Sequence, residues 1–161
     1  MLPVSLPLGL SLVLPSSAQP SAAPDAVEIR LREVEASLEK GDYEHARDEL
    51  AAAEREIGPK DPRIVRVHER RGASYLREDR FKEARDAFTR AIQAAGVLKL
   101  SDPVLARAYA GMGLCLLKQG NKAYALKFFK RGLGAKPDEG TLMFLEDQVR
   151  ELEGGAPEPL R

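Results

Sequence analysis

Two histidines and one cysteine are the candidates for nucleophile, general base or soft metal ligand: His45, His68 and Cys115. Chemistry from them would need a thiolate beside an imidazole, or both on one metal ion. They fall in three different copies of an internal repeat, and stacked repeats hold such copies apart. The residues therefore read as a surface His45, a packed His68 and a small core Cys115. The sequence has no glycine-rich phosphate loop and no metal-ligand spacing. Acidic pairs such as Glu33/Glu35 and Asp48/Glu49 are scattered over helix faces, as solvated carboxylates are. The expectation is a protein that is not an enzyme and carries no cofactor and no metal. A single cysteine allows no internal disulfide, so the redox compartment stays open.

The elements that carry these residues are set by a repeat. Gly41-Asp42-Tyr43 aligns with Asp79-Arg80-Phe81 and with Gly120-Asn121-Lys122, at spacings of 38 and 41 residues. Beyond each triplet comes an alanine (Ala46, Ala84, Ala125), then a large apolar residue (Leu50, Phe88, Phe129), then a small one (Ala53, Ala91, Gly132). A period of this length implies stacked units. Apolar residues make up 43% of the chain and charged residues 31%, as in an ordinary helical protein. Net charge is zero but unevenly spread. Residues 25–60 hold 11 acidic and 6 basic side chains, residues 61–140 hold 9 and 17, and residues 141–161 hold 5 and 2. A basic body thus lies between acidic ends.

The three copies resemble the tetratricopeptide repeat (TPR), a helix–turn–helix of 34 residues. Copy two carries Gly72, Tyr75, Phe81, Ala84, Phe88 and Ala91 in the family spacing; copy three carries Gly113, Gly120, Ala125, Phe129 and Pro137. Copy one is weaker, with Val34 at the glycine position and Ser37 at the tyrosine position. The repeats are assigned to 27–60, 65–98 and 106–139. The resemblance implies an all-α, right-handed TPR-type solenoid of helical hairpins.

The local signals agree. Helices are expected over 25–39, 44–56, 62–78, 82–95, 103–119 and 122–135. Val27, Leu31, Val34 and Leu38 make one apolar stripe. Asp25 is the expected N-cap of the first helix, with Glu28 as its reciprocal partner. Asp61-Pro62 and Asp102-Pro103 start the third and fifth. The stretch 96–101 is either an extension of the fourth helix or a loop. Gly72 against Ala84, and Gly113 against Ala125, are expected to let paired helices approach to about 8–10 Å, with Phe88 and Phe129 filling the space beside them. Leu142, Leu145, Val149 and Leu152 mark a capping helix over 141–153, because the last repeat needs one wet face. The tail 154–161 is expected to be loose. Residues 1–24 have no charged side chain and an apolar run ending in Ser16-Ser17-Ala18, which fits either a secretory signal or a disordered leader. Localisation is correspondingly cytoplasmic or exported. No run of about 20 apolar residues predicts a membrane span.

What the resemblance implies for function is a concave groove built from the first helix of each hairpin. Carried over position by position, the groove face takes in Glu69, Ala73, Ala110 and Gly111, and the partner-binding candidates along it are Leu38, Arg66, Arg70, Leu76, Arg77, Arg107, Leu114, Leu117 and Lys118. Arginine suits bidentate pairing with carboxylates, so the expected partner is a protein or peptide with acidic and apolar residues. The chain is thus expected to be a protein-interaction module or scaffold. The alternatives are a small chaperone for a secreted or assembly substrate, or a subunit that self-associates through the edge of the first repeat. The carboxylate clamp of TPR co-chaperones is disfavoured, since only Arg107, and loosely Arg70, match it. Nucleic acid is not expected, because basic residues alternate with acidic ones and the aromatics are needed in the core.

Overall fold

The computed structural model describes residues 25–154. The expectations for the leader 1–24 and for most of the tail lie outside these residues. Seven helices follow one another: α1 (Ala26–Lys40), α2 (Tyr43–Glu56), α3 (Arg63–Arg77), α4 (Phe81–Leu98), α5 (Pro103–Lys118), α6 (Lys122–Leu133) and α7 (Glu139–Leu152). Among the described residues there is no strand. The all-α solenoid of three hairpins plus a terminal helix is the observed architecture.

Short polar side chains start most of the helices. Asp25 accepts from the Val27 amide at 3.0 Å, Asp42 from His45 at 3.2 Å, Asp102 from Leu105 at 2.9 Å, Asn121 from Tyr124 at 3.3 Å and Asp138 from Thr141 at 2.9 Å. Each bond satisfies an amide that has no partner within its helix. The reciprocal role expected of Glu28 is not filled: its carboxylate reaches Arg66 of α3 instead, at 2.8 Å. α4 has no side-chain cap at Arg80. It also runs three residues past the expected end, to Leu98, and Lys99 closes it at φ 55°. The alternative of a loop over 96–101 thus shrinks to the residues after Leu98.

Within the hairpins, the first residue of each repeated triplet takes the left-handed conformation: Gly41 at φ 78°, Asp79 at 57° and Gly120 at 78°. This reverses the chain within a few residues, so the two helices run antiparallel. Glycine meets that need without steric cost, and Asp79 meets it at some cost.

The core is a continuous layer of aliphatic side chains around two phenylalanines. Val27, Leu31, Val34 and Leu38 of α1 are all buried, as are Leu50, Phe88, Phe129 and Leu145. Phe88 and Phe129 fill the space beside the glycines, as expected. A Cβ at Gly72 would lie 2.6 Å from the Phe88 ring, and one at Gly113 would lie 2.4 Å from the Phe129 ring. The glycines therefore make room for rings from the second helix of their own hairpin. Gly111 does the same from the next hairpin, with 2.2 Å to Phe88. Phe88 is thus held between α3 and α5. Phe129 meets the edge of Phe144 on α7, with ring centroids 6.1 Å apart and planes at 86°.

Candidate binding groove

The odd-numbered helices touch one another in series, α1 to α3, α3 to α5 and α5 to α7. Among the described residues, the even-numbered ones make no comparable contacts with each other. The odd helices therefore lie side by side as the inner face of the stack, with a cleft between α3, α5 and α7.

Charged side chains run along this face and join one repeat to the next. Arg66 Nη2 donates to Glu28 at 2.8 Å, and Arg70 Nε to Glu35 Oε1 at 2.6 Å. Arg107 Nη1 donates to Asp138 Oδ2 at 2.8 Å. Arg77 Nη1 donates to the Leu38 carbonyl at 2.9 Å. Glu69 lies between two of these guanidiniums, 3.5 Å from Arg70 and 3.9 Å from Arg107. These four guanidiniums therefore face four carboxyl groups and one carbonyl, so the count of basic residues overstates the positive charge of this surface. The Thr141 backbone amide, with Arg107 beside it, holds the Asp138 carboxyl below the usual carboxylate range.

The candidates from the sequence separate into three groups. Leu76, Arg107 and Leu114 come together at a cleft of about 270 Å³ between α3, α5 and α7. Arg66, Arg70 and Arg77 lie farther along the row, each bonded to α1. Leu117 is half-buried and Lys118 exposed near the end of α5, outside that cleft. Leu38, at 4% exposure, lies in the core under the groove and offers its carbonyl rather than its side chain.

Other lining residues were not singled out by the sequence. Gly140, Thr141 and Phe144 bring α7 into the wall of the cleft, so this helix does more than cover the end of the stack. Glu69 also lines it and is 3% exposed. Burial raises its carboxyl above the ordinary glutamate range, against the opposing pull of Arg70 and Arg107. The resemblance placed Glu69 on the groove face, but nothing in the sequence marked its burial.

The three residues considered for chemistry sit as packing predicts. His45 is exposed. His68 is 7% exposed, 3.9 Å from Glu54, and desolvation lowers its pKa. Cys115 is fully buried, which pushes its thiol up to about 11 and suppresses the thiolate at neutral pH. Among the described residues, no three His, Cys, Asp or Glu side chains are grouped to hold a metal ion. No described helix is long and apolar enough to cross a membrane. At the first-repeat edge, Leu31 and Val34 are turned into the core, and Ile29, 43% exposed, is the large apolar side chain that α1 leaves open.

Residues 63–138 match the family model described as tetratricopeptide repeat. A search of curated protein sequences gave no match. Solved structures share the fold. A TPR-like protein from Chlorobium tepidum aligns with a TM-score of 0.63 at 16% identity, over 80% of this chain and 94% of that one. The N-terminal domain of stress-induced protein-1 from C. elegans aligns with a TM-score of 0.63 at 23% identity, over 80% and 95%. The first TPR of Spaghetti (RPAP3), solved bound to the HSP90 peptide SRMEEVD, aligns with a TM-score of 0.61 at 16% identity, over 79% and 90%. The stretch from α3 to α6 is thus tetratricopeptide repeat sequence, and the chain as a whole, three hairpins and a terminal helix, has the fold of tetratricopeptide repeat solenoids.

Proposed function

We propose that this protein is a non-catalytic interaction module that holds an acidic and apolar segment of a partner protein along the inner face of α1, α3, α5 and α7. The observation that carries this reading is the row Arg66, Arg70 and Arg107 beside Leu76, Leu114 and Leu117. The carboxylates that hold the row are replaceable: the Glu28, Glu35 and Asp138 side chains are 36%, 42% and 44% exposed. Exposed ion pairs of this kind contribute about 0–1 kcal/mol each. A partner's carboxylates can therefore take their place at little cost, onto guanidiniums already positioned. The half-buried leucines supply the apolar contact that fixes the segment's register. That one solved relative holds an acidic peptide supports the reading by analogy of fold.

The test is a pull-down from source-cell lysate with the full chain and with Arg66→Glu/Arg70→Glu/Arg107→Glu, both checked for helicity by circular dichroism. Partners captured only by the parent chain are the expected result. Equal capture by both would move binding off the inner face.

A further inference from the structure

The Glu69 position is apolar in the other two hairpins. In register, Leu31 occupies it in the first and Ala110 in the third, at 1% and 7% exposure. The architecture asks for a hydrocarbon here, and the second hairpin supplies a carboxyl group. Glu69 Oε2 is buried without a hydrogen-bond partner among the described residues, and so is Arg107 Nε. Both side chains line the α3/α5/α7 cleft. Glu69 Oε2 lies 3.5 Å from Arg70 Nη1, and Glu69 Oε1 lies 3.9 Å from Arg107 Nε, so neither guanidinium closes a hydrogen bond to the carboxyl group. One cleft thus contains an acceptor lacking a donor and a donor lacking an acceptor, on adjacent helices.

We propose that this cleft receives the side-chain carboxamide of a glutamine or asparagine from the bound segment. Its NH2 donates to Glu69 Oε2 and its carbonyl accepts from Arg107 Nε. The inference rests on the inner-face reading above and names the residue type that anchors there. A carboxamide is the group that answers both needs with no net charge. A lysine or arginine head would satisfy Glu69 but add a cation beside Arg70 and Arg107. A carboxylate would satisfy Arg107 but face Glu69. The rest of the cleft suits the stem of such a side chain: Ala73, Leu76, Leu114 and Phe144 line it with apolar surface. The raised pKa of Glu69 is consistent with a carboxyl group whose donors are missing.

The probes are N-acetyl-glutamine methylamide and its glutamate and lysine counterparts, titrated into the full chain labelled with 15N. Glutamine and glutamate differ by one NH2-for-O exchange, so shape is nearly constant between them. The expected result is saturable shifts of the Ala73, Ala110, Gly111 and Gly140 amides with the glutamine probe. Binding of the other two should be weaker by on the order of ten-fold or more, the effect of leaving a buried polar group unmet. Glu69→Leu, which installs the residue found in the first hairpin, should abolish the response while remaining folded. No shift with the glutamine probe overturns the proposal. An equal response to all three probes overturns the carboxamide preference and leaves the inner-face reading standing. That reading fails separately, if the triple arginine reversal keeps its partners.

Discussion

The first hairpin and the two that follow solve one packing problem in opposite ways. In the second and third, the first helix gives up its side chain (Gly72, Gly113) and the second helix fills the space with a ring (Phe88, Phe129). In the first, Val34 takes the glycine position on the first helix and Leu50 the phenylalanine position on the second, both fully buried. A larger residue on one side is matched by a smaller one on the other, as close packing at fixed interhelical distance requires. The Gly–Phe solution does one thing more. The ring that fills Gly72's space also occupies the space above Gly111, so it joins two hairpins. The Val–Leu solution closes its own hairpin, and α1 meets α3 over a much smaller area than α3 meets α5.

The largest effect that separates these solutions should come from removing the ring. Phe88→Ala is expected to cost about 3–5 kcal/mol and Leu50→Ala about 2–5 kcal/mol. In urea titrations, Phe88→Ala should destabilise α5 and α6 along with its own hairpin, whereas Leu50→Ala should leave them intact. Filling the glycine space comes next: Gly72→Ala or Gly111→Ala should cost about 1–3 kcal/mol by overpacking. Gly72→Ala with Phe88→Leu moves the second hairpin toward the arrangement of the first, so the pair should cost less than the sum of its parts by at least about 0.5 kcal/mol. Additive losses would refute the compensation between the two positions.

The turns differ in the reverse sense. The second hairpin has the full glycine–aromatic core but the poorest turn, with Asp79 at positive φ and no cap from Arg80. Asp79→Gly should stabilise by roughly 0.5–1 kcal/mol, because Gly41 and Gly120 already hold that conformation freely. A loss of stability on thermal unfolding would show that the aspartate has a role its backbone does not explain.

The smallest change concerns Glu69, where the second hairpin departs from Leu31 and Ala110. Burial raises this carboxyl from its ordinary 4.5. A raised folded-state value favours the folded chain while the group is protonated, and that favour is lost as pH rises through the raised value. Glu69→Gln should therefore be more stable than the parent above that value. The advantage should fade as pH falls toward 4.5. Denaturation midpoints at several pH values would show it, and a gain that grows in acid would contradict the burial argument.

Much of the fold could be read along the chain because it depends on local signals. The triplets, the alanines after them and caps such as Asp25 and Asp102 located every helix, and the stripe from Leu142 to Leu152 located α7. The site was less legible because it depends on residues about 38 positions apart in sequence. Glu28 has capping chemistry, but Arg66 of the next repeat claims it. The basic count over 61–140 said nothing of pairing, and the arginines it included are held by Glu28, Glu35 and Asp138. Gly111 looked like a neutral position on the groove face until the Phe88 ring was found over it. Glu69 was placed on the groove face, but its burial stayed hidden, since burial of a charge cannot be read from helical periodicity.

Phe88's double seating also gives the stack a mechanical polarity. A ring lodged between α3 and α5 makes those hairpins yield as a unit, while α1 and α2 are joined to the rest by leaner packing and by replaceable ion pairs. Tension applied to the two ends in an optical trap should peel the first hairpin away before the other two give way together. The molecule would then respond to load as a strap with one soft link at its amino-terminal end.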